Sequence, residues 1–316
     1  MIKKYNLDSS LVNYIDNLGM GVEARGAIGG SVFYVEGNSG NDKYDGKSID
    51  GAFKTLACAL AVSHADIARR ARWARRNTIY CFGDSFEEDL TKFAQKTDIV
   101  GLGSCDYLHT ARVIGKHVPD TGTTLGSTLT PYVGTRFINM GFKGTAAACD
   151  IFTLASTHAG IAFLNCDFNG DTTAPALGAI VATACESLTI KGCVFDGAFA
   201  DAVIELGAGE ANSLLIKDNI ISGANEGIMA SATLTTTVRA GWIIGNKIKS
   251  TLCCINDTGG NKLHVVGNRG ITLAAAGSAG AGAVVCNQYL ASDNQFTCSD
   301  MAFMYPLAFD ANGQTG

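Results

Sequence analysis

The stretches RFINMGFKG (136–144), AFLNCDFNG (162–170), TIKGCVFDG (189–197), LIKDNIISG (215–223), WIIGNKIKS (242–250) and HVVGNRGIT (264–272) share one pattern, and it decides the fold. LASDNQFTC (290–298) is a weaker seventh copy. Met140, Cys166, Cys193, Asn219, Asn246, Asn268 and Asn294 fall at one equivalent position, in steps of 22–27 residues. A period in that range marks a solenoid. The residue just before each anchor is Asn139, Asn165, Gly192, Asp218, Gly245, Gly267 or Asp293. Asn, Gly and Asp tolerate left-handed or bridge-like backbone angles, so each predicts a bend.

Apolar columns run beside the bends. Three residues before the anchors come Phe137, Phe163, Ile190, Ile216, Ile243, Val265 and Ala291. Two residues after them come Phe142, Phe168, Phe195, Ile221 and Ile248; Gly270 breaks this column and Phe296 restores it. Equivalent side chains would stack rung over rung inside a coiled sheet. A second short strand follows each unit: DIFTLA from 150, GAIVAT from 178, DAVIEL from 201, EGIMAS from 226, LCCIND from 252 and GAVVCN from 282. Several short strands per turn predict an all-β parallel β-helix. No helical stripe follows each strand, which disfavours a leucine-rich horseshoe, and the repeats are short for propeller blades. Cys166 and Cys193 share a repeat position, so stacked thiols are expected there in preference to catalysis, and their spacing is not a zinc motif.

Composition agrees. Among 316 residues there are 38 Gly and only 4 Pro, with 17% charged. Small side chains at this density suit tight, repeated turns. A net charge of -5 argues against a basic nucleic-acid binder, so no nucleic-acid partner is expected. No apolar run of membrane-spanning length occurs, so no membrane insertion is expected, and the N-terminal residues do not read as a secretory signal. The 11 Cys lack a regular metal-ligand spacing, which fits synthesis in a reducing compartment with thiols buried as small hydrophobes.

Four regions follow: a lead-in or anchoring segment at 1–30, an entry strand, loop and capping helix at 31–76, the β-helix at 77–298, and a C-terminal cap or tail at 299–316. The helix is expected from about Phe53 to about Arg76, with Leu56, Leu60, Ile67 and Trp73 on its core side. It would cover the open end of the sheets, where unpaired backbone groups invite aggregation. Asn38, Asn41, Asp42 and Asp45 form an oxygen-rich loop without the closing Glu of a calcium loop, so hydrogen-bonded turns are expected and no metal. Residues 105–135 read as an excursion from an early coil, a usual place for binding surface.

The stretch YVEGNSGNDKYDGKSIDGAFKTLACAL (34–60), with TIYCFGDSFEEDL and DIVGLGS after it, resembles the entry region of the pectate-lyase-like superfamily. The residues carrying the likeness are Gly40, Asn41, Asp42, Gly46, Phe53, Thr55 and Leu56. The resemblance implies a right-handed single-stranded parallel β-helix with an N-terminal capping helix. Such domains occur in bacteriophage tailspikes and other virion appendages, often as homotrimers, and also in polysaccharide lyases, hydrolases and surface proteins. The calcium ligands and basic proton acceptor of the polyuronate lyases have no clear match here. The expected function is therefore a non-enzymatic virion structural protein, a rigid head or tail appendage assembled in the host cytoplasm. Residues 1–30 would meet other virion proteins, and a host surface polysaccharide is a further contact. No cofactor is expected.

The alternative is a phage depolymerase. Glycosidic cleavage needs two carboxylates facing one linkage, and Asp196, Asp201, Glu205, Asp218 and Glu226 form the candidate pool. Nothing in the sequence aims Asp196 and Glu226 at each other. Asp150 with His158 is a weaker acid–base suggestion. Candidate binding residues are Tyr107, His109, Arg112, Tyr132, Trp242 and Tyr289. Trp242 takes a position held by Leu215 and His264 in neighbouring repeats, alternate to the inward column, which predicts an outward side chain.

Overall fold

A computed structural model describes residues 30–70, 76–83, 85–103, 111–118, 134–144, 149–154, 160–170, 177–182, 187–207, 213–230, 241–257, 263–273, 282–286, 291–292 and 294–298. All paired strands in these regions run parallel, in two sheets. The first has ten strands, from Val32–Glu36 through Asn77–Phe82, Thr97–Gly101 and the repeat units to Ala291–Ser292. The second has 13 strands and divides into two faces. Two long strands, Ile220–Met229 and Lys247–Asp257, bend at the corner and belong to both faces. The register slips at Ala224 mark that corner. The result, among the described residues, is a three-faced parallel β-solenoid capped by one helix. Among the described residues no helix is long and apolar enough to cross a membrane.

Register confirms the columns. Phe137 pairs with Phe163, Phe163 with Ile190, Ile190 with Ile216, and Ile216 with Ile243. On the second face Phe142, Phe168 and Phe195 follow one another, with Ile221 and Ile248 below. The expected second short strands form the third face, where Phe152, Ile180, Ile204, Ile228 and Ile255 stack inward. Rings pack directly: Phe168 lies 4.6 Å from Phe195 at an interplanar angle of 9°, and Phe137 lies 5.4 Å from Phe163 at 9°. Each fully buried aromatic or aliphatic side chain contributes about 1.5–3 kcal/mol. These columns therefore dominate the stability of every rung.

The bends are where the sequence places them. Asn139, Asn165 and Asp218 have φ near +55°, and Gly192, Gly245 and Gly267 have φ of 64–67°. The asparagine anchors Asn219, Asn246 and Asn268 form a buried hydrogen-bonded ladder. Asn246 Nδ2 donates to the Ile216 carbonyl (3.0 Å) and to Asn268 Oδ1 (2.9 Å), while its Oδ1 accepts from the Asn219 amide (3.0 Å) and Asn219 Nδ2 (2.9 Å). Asn219 and Asn268 repeat the arrangement, and Asn294 continues it. Cys166 and Cys193 occupy the same slot higher up, their thiols donating to the Phe137 and Phe163 carbonyls at 3.4 Å. Thiols stacked in one repeat position are what the sequence predicted there.

The helix, α1, spans Leu56–Arg70, narrower than the 53–76 expected from the sequence. Its start is fixed chemically. Thr55 Oγ1 accepts the Cys58 amide, and Glu88 accepts the Leu56 and Ala57 amides at 2.7 and 2.9 Å. Asp42 holds the Lys54 and Thr55 amides one step earlier. The first amides of a helix have no internal partner, so this is a complete N-cap. Asn41 and Asp45 accept amides two residues on, as turn residues do. Leu56, Ala59 and Leu60 are buried at helical spacing, whereas Ile67 is only half-buried and Trp73 lies outside the described residues. Ser63, Asn77 and Thr97 form a buried polar stitch between α1 and the first sheet. Arg76 is not helical: it precedes the Asn77 strand and pairs with Asp98 at 2.8 Å. The helix is an insertion between the first two rungs, because Val32–Glu36 pairs directly with Asn77–Phe82.

Candidate functional site

The inward columns are nearly uniform, so distinct chemistry lies on the outward ones. On the second face the outward positions include Arg112, Gly141, Asp167 and Val194 in one column, with Lys143, Asn169, Asp196 and Ser222 in the next. Arg112 belongs to a strand, Arg112–Ile114, that pairs on both sides within the second sheet. Part of the expected 105–135 excursion is therefore a regular rung. Arg112 lies across Gly141 and comes within 3.9 Å of Asp167, two rungs away. A Cβ at Gly141 would stand 3.4 Å from the Arg112 side chain, so the glycine leaves the arginine its path.

Asp167 is only 3% exposed although it faces outward. Burial pushes its carboxyl above the ordinary aspartate range; Arg112 opposes the rise and the charge of Asp196 adds to it. Asp196 sits one rung on and accepts a 2.8 Å hydrogen bond from Ser222 Oγ. A buried carboxyl with a raised proton affinity, beside a second carboxylate and a guanidinium, has the parts of a general acid–base pair. The sequence reading included Asp196 and Arg112 and missed Asp167. Its signal was an acidic residue in a column that also holds Arg112, Gly141, Val194, Ile220, Lys247 and Arg269.

The other carboxylates divide between two places. Asp201, Glu205 and Glu226 come together on the third face with Asp150. Burial raises the Glu205 carboxyl, and repulsion from Asp201, Asp150 and Glu226 raises it further. Burial likewise raises Asp150. Asn256 Nδ2 donates to Glu226 Oε1 at 3.0 Å, while Glu226 Oε2 and Asn256 Oδ1 are buried without a hydrogen bond. Asp218 is apart from both groups: it makes a first-sheet bend and lies 3.9 Å from Lys217. Among the described residues no three His, Cys, Asp or Glu side chains converge to hold a metal ion.

Trp242 faces outward as expected and is 43% exposed. Its ring stacks on His264 at 4.2 Å and 17°, a contact the sequence did not reveal. Tyr107, His109, Tyr132, Tyr289 and His158 lie outside the described residues, as do residues 1–29 and 299–316.

Fold and site together define a capped parallel β-solenoid with a paired-carboxylate and arginine group on one outer face. Comparison with protein-family models, with curated proteins and with solved structures finds no match for this chain.

Proposed function

We propose that the chain is a non-enzymatic structural subunit of a bacteriophage virion, a rigid β-helical rod in a head or tail appendage. The observation that carries this reading is the unbroken parallel stacking of the first sheet over ten strands, tied by the Asn219–Asn294 ladder. Such a body resists bending because every rung is hydrogen-bonded to the next. The entry-region resemblance supports the virion context and a homotrimer, with residues 1–30 meeting other virion proteins. The polar outer surface around Arg112, Lys143 and Asn169 suits contact with a host surface glycan. Immunogold electron microscopy of lysate particles, with an antibody against the chain, tests the assignment. Labelling of a head or tail appendage is expected; particles that carry no label overturn it.

The second reading, a glycan depolymerase, is favoured by Asp167 and Asp196 beside Arg112. Purified protein is incubated with capsular polysaccharide and lipopolysaccharide, and new reducing ends are counted. The structural reading expects no shortening. Shortening by the wild type that is lost in both Asp167→Asn and Asp196→Asn would move the assignment to the depolymerase.

A further inference from the structure

We infer that the C-terminal part of the second outer face is a docking surface for an anionic phospholipid bilayer. The inference goes beyond the reading of the chain as a rod subunit and does not depend on it.

The surface begins where the Asp167–Asp196 group ends. Past Val194 the first outward column runs through Ile220, Lys247 and Arg269. The next column holds Ser222, Lys249 and Ile271, and Leu273 stands two residues beyond Ile271. Neighbours on adjacent rungs are about 4.8 Å apart and outward residues along one strand about 7 Å, so these side chains leave one flat sheet within roughly 17 Å of one another.

Two features set this patch apart. First, its cations are unanswered. Lys247, Lys249 and Arg269 are exposed, and none of them forms an ion pair among the described residues. The stretches 220–223, 247–251 and 269–273 contain no acidic residue. Other cations of the outer surface have partners: Arg76 and Arg136 share Asp98, Arg112 reaches Asp167, and Lys217 lies beside Asp218. Second, the aliphatic side chains among the cations are uncovered. Ile220 is 48%, Ile271 49% and Leu273 51% exposed, at positions that are ordinarily polar on a solvated sheet.

The charge calls for an anionic partner, and the aliphatic side chains decide its kind. Bases stack on aromatic side chains, and sugar rings pack on them too. No aromatic residue points outward here; the exposed Trp242 belongs to the first sheet. Protein interfaces are depleted of lysine, whereas this patch carries two. A bilayer surface is planar like the sheet, offers phosphates to the cations and takes aliphatic side chains just beneath the headgroups. Arg269 can meet two phosphate oxygens at once. The chain would lie on the surface, with nothing crossing it.

Each cation beside an anionic leaflet strengthens partitioning about fivefold, so three strengthen it about a hundredfold. The net charge of -5 works in the opposite direction, so only a local patch can give this preference. Co-sedimentation of the full chain with vesicles tests it, using phosphatidylcholine alone against phosphatidylcholine mixed with phosphatidylglycerol. The wild type is expected to partition at least about tenfold more strongly onto the anionic vesicles at low salt, and to lose that preference near 1 M salt. Lys247→Gln/Lys249→Gln/Arg269→Gln is expected to abolish the preference. If this variant loses its β-sheet circular dichroism, Lys249→Gln alone is read in its place and is expected to bind about fivefold less. Ile271→Ser/Leu273→Ser is expected to keep the preference while binding anionic vesicles at least about threefold less. Lys191→Gln/Lys217→Gln, which removes two like charges from the first face, is expected to stay within about twofold of wild type. Equal partitioning of the wild type onto both vesicles overturns the inference, as does a preference lost equally in the first-face variant. A wild type that binds dextran sulfate and neither vesicle overturns it in favour of a soluble polyanion.

Discussion

Replacing Asn246 by Ala tests the ladder at its most completely bonded member. Its side chain makes four hydrogen bonds, all that an amide can make: two accepted from Asn219 and two donated, to Ile216 and Asn268. Alanine leaves the Asn219 amide and one Asn219 Nδ2 hydrogen as buried donors without acceptors. Each such group costs about 1–3 kcal/mol, so the variant should lose about 3–5 kcal/mol once the small cavity is added. Asn246→Cys should lose less, about 2 kcal/mol, because a thiol in this slot can still donate to a carbonyl, as Cys193 does to Phe163. Guanidinium unfolding followed by circular dichroism gives the stabilities. Hydrogen exchange at the Asn219 amide gives the local signature, since that proton loses its acceptor only if the ladder is real. An Asn246→Ala variant within about 1 kcal/mol of wild type, with Asn219 protection intact, would refute the reasoning.

His117 makes stability depend on acidity. It is buried against Phe142 and Phe152, its Nδ1 accepts the Leu90 amide at 3.1 Å, and burial pushes its pKa down to about 4. The unfolded chain takes up the proton near pH 6.5 and the folded chain only near 4, so His117 lowers stability as pH falls across that window, by up to about 3 kcal/mol. Comparing wild type with His117→Asn at pH 7 and pH 4.5 isolates this from Glu88, Asp150 and Asp167, whose raised carboxyls act in the opposite sense; identical pH slopes would contradict it. Gly267 has φ of 64° and open space where a Cβ would be, and Asn139 and Asn165 occupy the same bend elsewhere. Gly267→Asn should therefore change stability by less than about 0.5 kcal/mol, while Gly267→Val should cost about 2 kcal/mol. Thermal melts of the two variants check the order, and equal losses would show that the bend is not a shared left-handed position.

What the sequence disclosed was local. A bend that needs positive φ and a strand with alternating burial each leave a short pattern, so Asn139 through Gly267 and the Phe–Ile columns were legible directly. The third-face strands were legible for the same reason. The helix start was not, because Glu88, which accepts two of its first amides, lies 32 residues from Leu56. The second-face group was hidden by register. Arg112 and Asp167 meet only because Arg112–Ile114 is a rung and Gly141 is bare. A reading that placed 112 in an excursion could not count the two rungs between them. The acidic pool mixed three addresses, because charge along the chain does not say which face a residue occupies.

That separation has a physical basis. Inward columns are coupled by packing, since a ring at Phe168 must fit rings at Phe142 and Phe195. Outward columns are coupled only through neighbours on the same face, so each face is free to differ. The first carries Tyr34, Tyr80, Val100, Ile138 and Leu164 on successive rungs and then Lys191 and Lys217, the second pairs Arg112 with buried Asp167, and the third collects Asp150, Asp201, Glu205 and Glu226. Burial, with repulsion from Asp201, Asp150 and Glu226 added, raises the Glu205 carboxyl, so its charged form works against stability, and the inward columns do not impose it. An arrangement that opposes folding and is not imposed by the repeat points to the outer surface, not the rod, as the place where this chain's specificity resides.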